Sequence, residues 1–198
     1  LAGFFHLASR WMVRWSRSPR SFLAIEILLV GILSALFLND TICLMFAPFL
    51  INIMDALKRN PIPYLIALAT ASNVGSTATL TGNPQNMIVG IASGISYAEF
   101  AAALIPVALL GLGVIWLVLV KIFPYDFSNQ PLQSDLAPDV GTVQKPLLIK
   151  TLIITVGLLT AFLAGAPIAL AAFLAASLLL ITRRHQPQTV FAEFDWSL

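Results

Sequence analysis

Two short polar runs interrupt a sequence that is otherwise apolar enough to lie in a membrane. The first is Asn39-Asp40-Thr41, between the apolar stretches 23–38 and 42–54. The second extends over 72–86, and its polar, glycine and proline residues are Ser72, Asn73, Gly75, Ser76, Thr77, Thr79, Thr81, Gly82, Asn83, Pro84, Gln85 and Asn86. Lipid offers no hydrogen-bond partners, so both runs must be buried in protein or line a cavity. Such interruptions are typical of the substrate site of a secondary transporter.

Each run predicts a helix that starts inside the membrane. Asn39 or Asp40 is a good N-cap for a helix that begins near Thr41. Asn83 is a good N-cap for a second helix, with Pro84 at its first position. A helix N-terminus offers free N–H groups and about half a positive charge. Two such ends that converge in a dry site would hold an oxyanion, so the runs indicate anion binding.

The same residues could instead bind a cation. Oxygen atoms of the two runs suit a small hard cation, and the predicted sodium ligands are Asn39, Asp40, Asn73 and Asn83. Asp40 is the most consequential residue, because a carboxylate at membrane depth is costly and marks a functional site by default. It could bind a proton or a cation; the alternative is a plain N-cap. Glu26 lies about a turn from Ser21, near the start of its helix. We expect Glu26 to reach the interface and to have a structural role.

The predicted binding site combines residues of both runs. Its substrate- or ion-binding residues are Asn39, Asp40, Thr41, Ser72, Asn73, Ser76, Thr77, Gly82, Asn83, Pro84 and Asn86. For Thr77 alone, helix packing is the better interpretation, whereas the complete second run exceeds what packing needs. No catalytic residue is predicted, and no cofactor other than a coupling ion, sodium or proton.

Sequence motifs of pumps and soluble enzymes are missing. There is no Walker A loop, which favours a secondary transporter or a channel over an ATP-driven pump. Cys43 is the only cysteine, which excludes an intrachain disulfide and a cysteine metal cluster. An intramembrane enzyme with Asp40 as the catalytic acid is an alternative of another class, but it needs a second acid or nucleophile at similar depth, and none is evident.

The elements around the two runs are predicted to be membrane helices. Apolar residues make up 59% of the chain and charged residues 10%, against about 25% charged residues in soluble domains. The apolar segments are 22–38, 42–57, 62–80, 86–95, 98–123, 147–164 and 166–182. A full span needs about 20 residues, so a re-entrant hairpin over 22–57 is favoured over two complete spans. The fold class is an all-α polytopic membrane protein with this hairpin and a broken helix over 62–95.

The chain divides into five predicted regions. They are an interfacial amphipathic helix (1–20), a transport region with the hairpin, the broken helix and the following span (21–123), a cytoplasmic loop (124–146), two further spans (147–184) and the start of a new segment (185–198). This arrangement places all eleven Lys and Arg on one side, which the positive-inside rule makes cytoplasmic. The net charge of +2 says nothing about nucleic acid, but no basic stripe with stacking aromatic residues is present. The expected partners are a small inorganic or organic ion and membrane lipid, and no nucleic acid.

The chain resembles the ion transporter superfamily, which includes arsenite efflux proteins, sodium/proton antiporters and dicarboxylate or citrate carriers. Residues 34–48, SALFLNDTICLMFAP, are similar to its first re-entrant hairpin, and residues 69–86, ATASNVGSTATLTGNPQN, to its first unwound helix. The resemblance implies two inverted repeats around one site and transport by alternating access. The chain would form roughly the first half of such a transporter, and 185–198 would open the second repeat.

The resemblance also assigns residues to this site. Asn39-Asp40-Thr41 stands where dicarboxylate carriers have a Ser-Asn-Thr triplet that holds sodium and substrate, and Gly82-Asn83-Pro84 matches the unwound turn. The acidic middle residue moves the chain toward the arsenite-efflux and antiporter branches. We therefore expect a secondary active transporter of a small inorganic or organic anion, coupled to an ion or proton. The expected location is a bacterial inner membrane, and a homodimer of the full-length protein is possible. The alternative is a sodium/proton antiporter with Asp40 as the exchange site.

Overall fold

The computed structural model describes residue 12 and residues 15–127 and 145–181, and within these ranges every regular element is a helix. In chain order the helices are α1 (Pro19–Leu36), α2 (Asn39–Ala56), α3 (Ile62–Ser76), α4 (Pro84–Ser93), α5 (Tyr97–Ile122), α6 (Lys145–Leu163) and α7 (Ile168–Ile181). The chain separates into two compact units, Leu1–Leu148 and Ile149–Leu198. Both polar runs lie in the first unit.

Local sequence determines where two of the long helices begin. Ser18 caps α1 and exchanges hydrogen bonds with Ser21, which is a capping box, and Pro19 occupies the first helical position. Ser96 caps α5 in the same way, with Glu99 as its partner. These caps satisfy the first N–H groups of each helix from within the same segment, so neither start depends on a distant contact.

The core of the first unit is formed by α1, α2, α3 and α5. Phe22, Tyr64 and Phe127 are among its fully buried side chains. The Tyr64 ring lies edge-on to both phenyl rings, with 5.5 Å between centroids in each pair, an arrangement that stabilises aromatic contacts. Because Phe127 follows α5, this cluster fixes the turn after α5 against α1 and α3.

Two helices of this core, α1 and α3, approach closely at glycine residues. A Cβ atom at Gly75 would overlap the backbone of Gly31, and one at Gly31 would lie 2.6 Å from a methyl carbon of Leu112 in α5. Gly111 of α5 faces Val74 of α3 in the same manner, at 2.7 Å. Small residues allow helix backbones to come together in membranes. The close approach of α1 and α3 therefore depends on the absence of a side chain at Gly75.

The interruption predicted within 62–95 is present, although its first helix is shorter than the apolar pattern indicates. α3 ends at Ser76, and the chain is not helical again until α4 begins at Pro84. A Cβ atom at Gly82 would overlap the carbonyl oxygen of Ser76. The chain therefore folds back across the end of α3, in a space that only glycine fits.

Three helices in the described ranges are long and apolar enough to cross a membrane: Pro19–Leu36, Tyr97–Ile122 and Pro146–Leu163. α7 is apolar but shorter. In the second unit, large apolar side chains such as Leu152, Val156 and Phe173 are exposed. An all-helical chain with these spans is consistent with a polytopic membrane protein, as the composition predicts.

The N-terminal part of the first unit corrects one expectation. Glu26 does not reach the interface: it is completely buried, because the face of α1 that carries it packs against the other core helices. Of the predicted interfacial helix 1–20, most residues lie outside the described ranges; Met12 is buried and Trp15 is exposed. Most of the predicted loop 124–146 and all of 185–198 also lie outside the described ranges.

Candidate ion- and substrate-binding site

Asn39 joins the two polar runs. Its backbone N–H donates to the carbonyl oxygen of Gly82 at 3.1 Å, and its side-chain Nδ2 donates to Oδ1 of Asn73 at 3.0 Å. Asn39 is buried, with 8% of its surface exposed. The first residue of α2 is therefore held against both α3 and the non-helical segment 77–83.

These contacts correct the predicted start of α2. The helix begins at Asn39 itself, Leu38 occupies the N-cap position, and no side chain caps it. The prediction that Asn39 or Asp40 is the N-cap is wrong, because the Asn39 amide pairs with Asn73 across the site. Asp40 lies in the first turn of the helix instead, where a negative charge favourably opposes the helix dipole.

Asn83 starts α4 as the sequence predicts. Its Oδ1 accepts a hydrogen bond from the backbone N–H of Asn86 at 2.8 Å, and Pro84 occupies the first helical position. Asn83 also donates to Oγ of Ser76 at 3.1 Å. The side-chain Nδ2 of Asn86 also donates to the carbonyl oxygens of Ser76 and Thr79, at 3.2 and 2.9 Å. These hydrogen bonds hold the start of α4 against the end of α3.

The hydroxyl groups of the second run bond mostly to nearby carbonyl oxygens. Ser72 donates to Ala69 at 3.1 Å, Ser76 to Asn73 at 2.8 Å and Thr77 to Val74 at 2.7 Å. Ser and Thr commonly bond to the preceding turn of a helix. For Thr77 this agrees with the packing interpretation, and it adds no contact between the two runs.

Several polar groups at the junction have no hydrogen-bond partner among the described residues. The Oδ1 atom of Asn39 is buried and has no hydrogen-bond partner, which is unusual because buried polar atoms are nearly always paired. The backbone N–H groups of Asp40 and Thr41 have no partner within a helix that begins at Asn39. Of the predicted site residues, those exposed are Asp40, Thr41, Asn73, Thr77 and Pro84.

The structure brings together part of the predicted set. Hydrogen bonds connect Asn39, Asn73, Ser76, Gly82, Asn83 and Asn86. Asp40 and Thr41 stand beside this network, but in the described ranges no side-chain hydrogen bond joins them to the second run. Ser72 lies deeper in the protein, and its Oγ is 2.8 Å from Sγ of Cys43.

Sequence reasoning missed several contacts that hold the non-helical segment. Thr79 donates to the carbonyl oxygen of Ala35 at the end of α1. The Thr81 hydroxyl lies 3.2 Å from the hydroxyl of Tyr97 in α5. Both threonines are buried. The signal in the sequence is the alternation of threonines with apolar residues. This pattern does not identify the hydrogen-bond partners, because both partners lie on other helices.

Comparison with known proteins identifies the family of the chain. The sequence model of the citrate transporter family matches residues 1–198. The chain belongs to this family. The expected membership of the ion transporter superfamily is therefore confirmed. The family and its named relatives are transporters and not enzymes, so the intramembrane enzyme is not supported. No solved structure matches the chain.

Individual relatives share part of the sequence. The chain is 34% identical over 122 residues to the silicon efflux transporter LSI3 of Oryza sativa subsp. japonica, covering 62% of this chain and 25% of that protein. It is 35% identical over 109 residues to the inner membrane protein YbiR of Escherichia coli, covering 54% and 29%. It is 27% identical over 206 residues to an uncharacterized transporter of Mycobacterium bovis, covering 98% and 47%. The chain thus spans at most about half the length of these relatives.

Proposed function

We propose that the full-length protein is a secondary active transporter of a small anion, coupled to an ion or proton, that works by alternating access. The observation that carries this proposal is the pair of hydrogen bonds made by Asn39. They hold the start of α2 against the non-helical segment that leads directly into α4, so two helix N-termini open beside one another.

Anion binding at this junction follows from the helix starts. Free N–H groups and the positive ends of two helix dipoles favour a negative ligand. The N–H groups of Asp40, Thr41 and Gln85 belong to the first turns of α2 and α4 and have no partner within their helices. The relative named as a silicon efflux transporter supports a small inorganic substrate, and the family description supports an organic one.

Cation binding is supported by a separate group of atoms. The unpartnered Oδ1 of Asn39 is a neutral oxygen ligand that nothing else in the described ranges uses. The Asp40 carboxylate stands at the next residue and is exposed. With Asn73 and Asn83, these residues form the proposed sodium site. In the alternative function, a sodium/proton antiporter, Asp40 exchanges the two ions and no anion is carried.

The membrane arrangement forms part of the same proposal. We place α1 and α2 as a re-entrant hairpin, with the Lys- and Arg-rich ends in the cytoplasm, in the first of two inverted repeats. The relative named as an inner membrane protein supports a bacterial inner membrane. Membrane lipid surrounds the helices, and the full-length protein could pair as a homodimer.

Ion flux in liposomes tests the proposed function. The full-length protein is assayed with silicate, citrate and sodium, each against gradients of sodium and of pH, together with Asn83→Ala. Uptake or efflux of an anion that Asn83→Ala weakens supports the anion transporter. Sodium flux against protons without any anion flux selects the antiporter, and no flux of any of these ions contradicts both.

Reagent labelling tests the membrane arrangement. Single cysteines at Arg59 and Lys145, in a Cys43→Ala background, are expected to resist an impermeant thiol reagent added outside intact cells. Labelling of either from outside would overturn the orientation.

A further inference from the structure

Glu26 is a buried acidic residue that the candidate site does not use. It has 0% of its surface exposed, and both carboxyl oxygens lack a hydrogen-bond partner. Its neighbours one turn away on the same face of α1, Phe22, Leu23 and Val30, are also fully buried. The carboxyl group therefore lies in apolar surroundings, at a place where an apolar side chain would pack more favourably.

A second unpartnered polar group lies near this carboxyl. The Tyr64 hydroxyl in α3 is buried without a hydrogen-bond partner. The titratable side chains within electrostatic range of this hydroxyl are Glu26, Arg59 and Asp126. Arg59 is already engaged, since its guanidinium donates to the backbone carbonyl of Asp126 at 3.2 Å.

The other charged groups on neighbouring elements point elsewhere. The Arg20 guanidinium of α1 donates to the carbonyl oxygen of Phe127 at 2.9 Å. Asp55 and Lys58, at the end of α2, and Lys121, in the last turn of α5, are exposed. In the described ranges, Glu26 therefore has no cationic partner, and its charge must be removed in another way.

A proton is the ligand that fits this place. An ionised carboxylate without a partner is very unfavourable in apolar surroundings. A metal cation would need several oxygen ligands, whereas the described residues offer one hydroxyl and no group of three or more His, Cys, Asp or Glu. A proton needs no further ligand, because it converts the carboxylate into a neutral acid.

We infer that Glu26 is a proton-binding site, separate from the junction at Asn39. Ten residues of α1 lie between Glu26 and the end of the helix at Leu36, which is about 15 Å along the helix, and Asn39 follows beyond that end. The proton is bound while α1 and α3 are packed together. When the core around Glu26 opens to water, the carboxylic acid releases the proton to that water and the carboxylate is hydrated.

The role of this proton as the coupling ion rests on the proposed function, whereas proton binding by Glu26 does not. Alternating access requires packed helices to move, and a buried acid that is hydrated in one conformation gains or loses a proton with that movement. Asp40, which is exposed here, is then free to serve the substrate site alone.

Infrared difference spectroscopy of the full-length protein in lipid, between neutral and alkaline buffer, tests the proton site. The wild type is expected to show a band of a protonated carboxylic acid at neutral pH. Glu26→Gln should remove this band, and the matched control Asp55→Asn, an exposed carboxylate in the same hairpin, should keep it. A band that survives in Glu26→Gln would overturn the inference.

Tyr64→Phe keeps the test decisive if Glu26→Gln does not fold. It leaves the carboxyl in place and removes a polar hydroxyl within electrostatic range of it, so it should shift the frequency of the band. An unchanged frequency would contradict the described site.

Transport assays separate the coupling role from the proposed function. Glu26→Gln should carry the substrate at equal rates in acidic and alkaline buffer, whereas the wild type depends on pH. Wild-type pH dependence in this variant would overturn the coupling role but not the transporter. No transport by the wild type, with the infrared band present, would overturn the proposed function and leave the proton site standing.

Discussion

The two helices that meet at the candidate site begin in different ways. α4 is started by its own sequence, since the side chain of Asn83 caps it and Pro84 follows. α2 has no side-chain cap, and its first N–H group donates to the carbonyl oxygen of Gly82 in another segment. The start of α4 is therefore a local property, whereas the start of α2 depends on the non-helical segment being in place.

This difference has a consequence for the proposed transport cycle. Movement of residues 77–82 would leave α4 capped by Asn83 but would remove the partner of the first N–H group of α2, which is the carbonyl oxygen of Gly82. Ligand binding at the junction and the position of this segment are then linked through Asn39, which contacts Gly82 and Asn73.

Gly82→Ala should have the largest effect, because it disturbs both helix starts. The added methyl group overlaps the Ser76 carbonyl oxygen, so the backbone must shift where Asn39 is bound. Overpacking of this kind costs about 1–3 kcal/mol, and we expect a lower unfolding temperature in detergent and loss of transport. Gly113→Ala is the control, because a methyl group there meets no atom within 4 Å. Equal unfolding temperatures for the two variants would contradict the close contact.

Asn83 variants should change the free energy of unfolding as expected for an N-cap residue. Asn83→Ala removes the cap and should lower the free energy of unfolding by about 1 kcal/mol. Asn83→Asp keeps an oxygen that accepts from the Asn86 N–H group, so it should recover most of that loss. Thermal unfolding of the three proteins measures this, and a failure of Asp to restore stability would show that the bond to Ser76, rather than the cap, matters.

Asn39 variants should behave in the opposite way. Asn39→Ala removes the bond to Asn73 and should cost about 1 kcal/mol. Asn39→Asp should be no better than Ala, because a carboxylate cannot donate to the Asn73 oxygen. Recovery of stability by Asp at position 39 would mean that this residue acts as a cap after all.

The smallest effect on stability is expected for Asp40→Asn. The side chain is exposed, and a charge in the first helical turn contributes only about 0.3–1 kcal/mol. The dependence of transport on sodium should change, since the one carboxylate that the described residues place at the junction is lost. A variant with the wild-type sodium dependence in liposome flux would remove Asp40 from the proposed ion site.

The same contrast explains how much the sequence could predict. The start of α4 and the interruption before it are set by local residue types, namely Asn83 and Pro84, so they could be predicted. The start of α2 and the burial of Glu26 depend on contacts between helices. Asn39 has the right chemistry for a cap, but the competing amide of Asn73 is visible only in the folded chain. Likewise, the position of Glu26, seven residues after Pro19, does not show which face of α1 the other helices will cover.

The most direct test of a site formed by both α2 and α4 asks whether one bound ion protects thiols at both helix starts from labelling. Thr41→Cys and Gln85→Cys place thiols in the first turns of α2 and α4, each in a Cys43→Ala background of the full-length protein. Labelling rates are measured in liposomes with silicate, citrate or sodium added in turn. We predict that the same ion slows labelling at both positions. Protection of only one position by every ion tested, or of neither, would contradict a site formed by both helix starts.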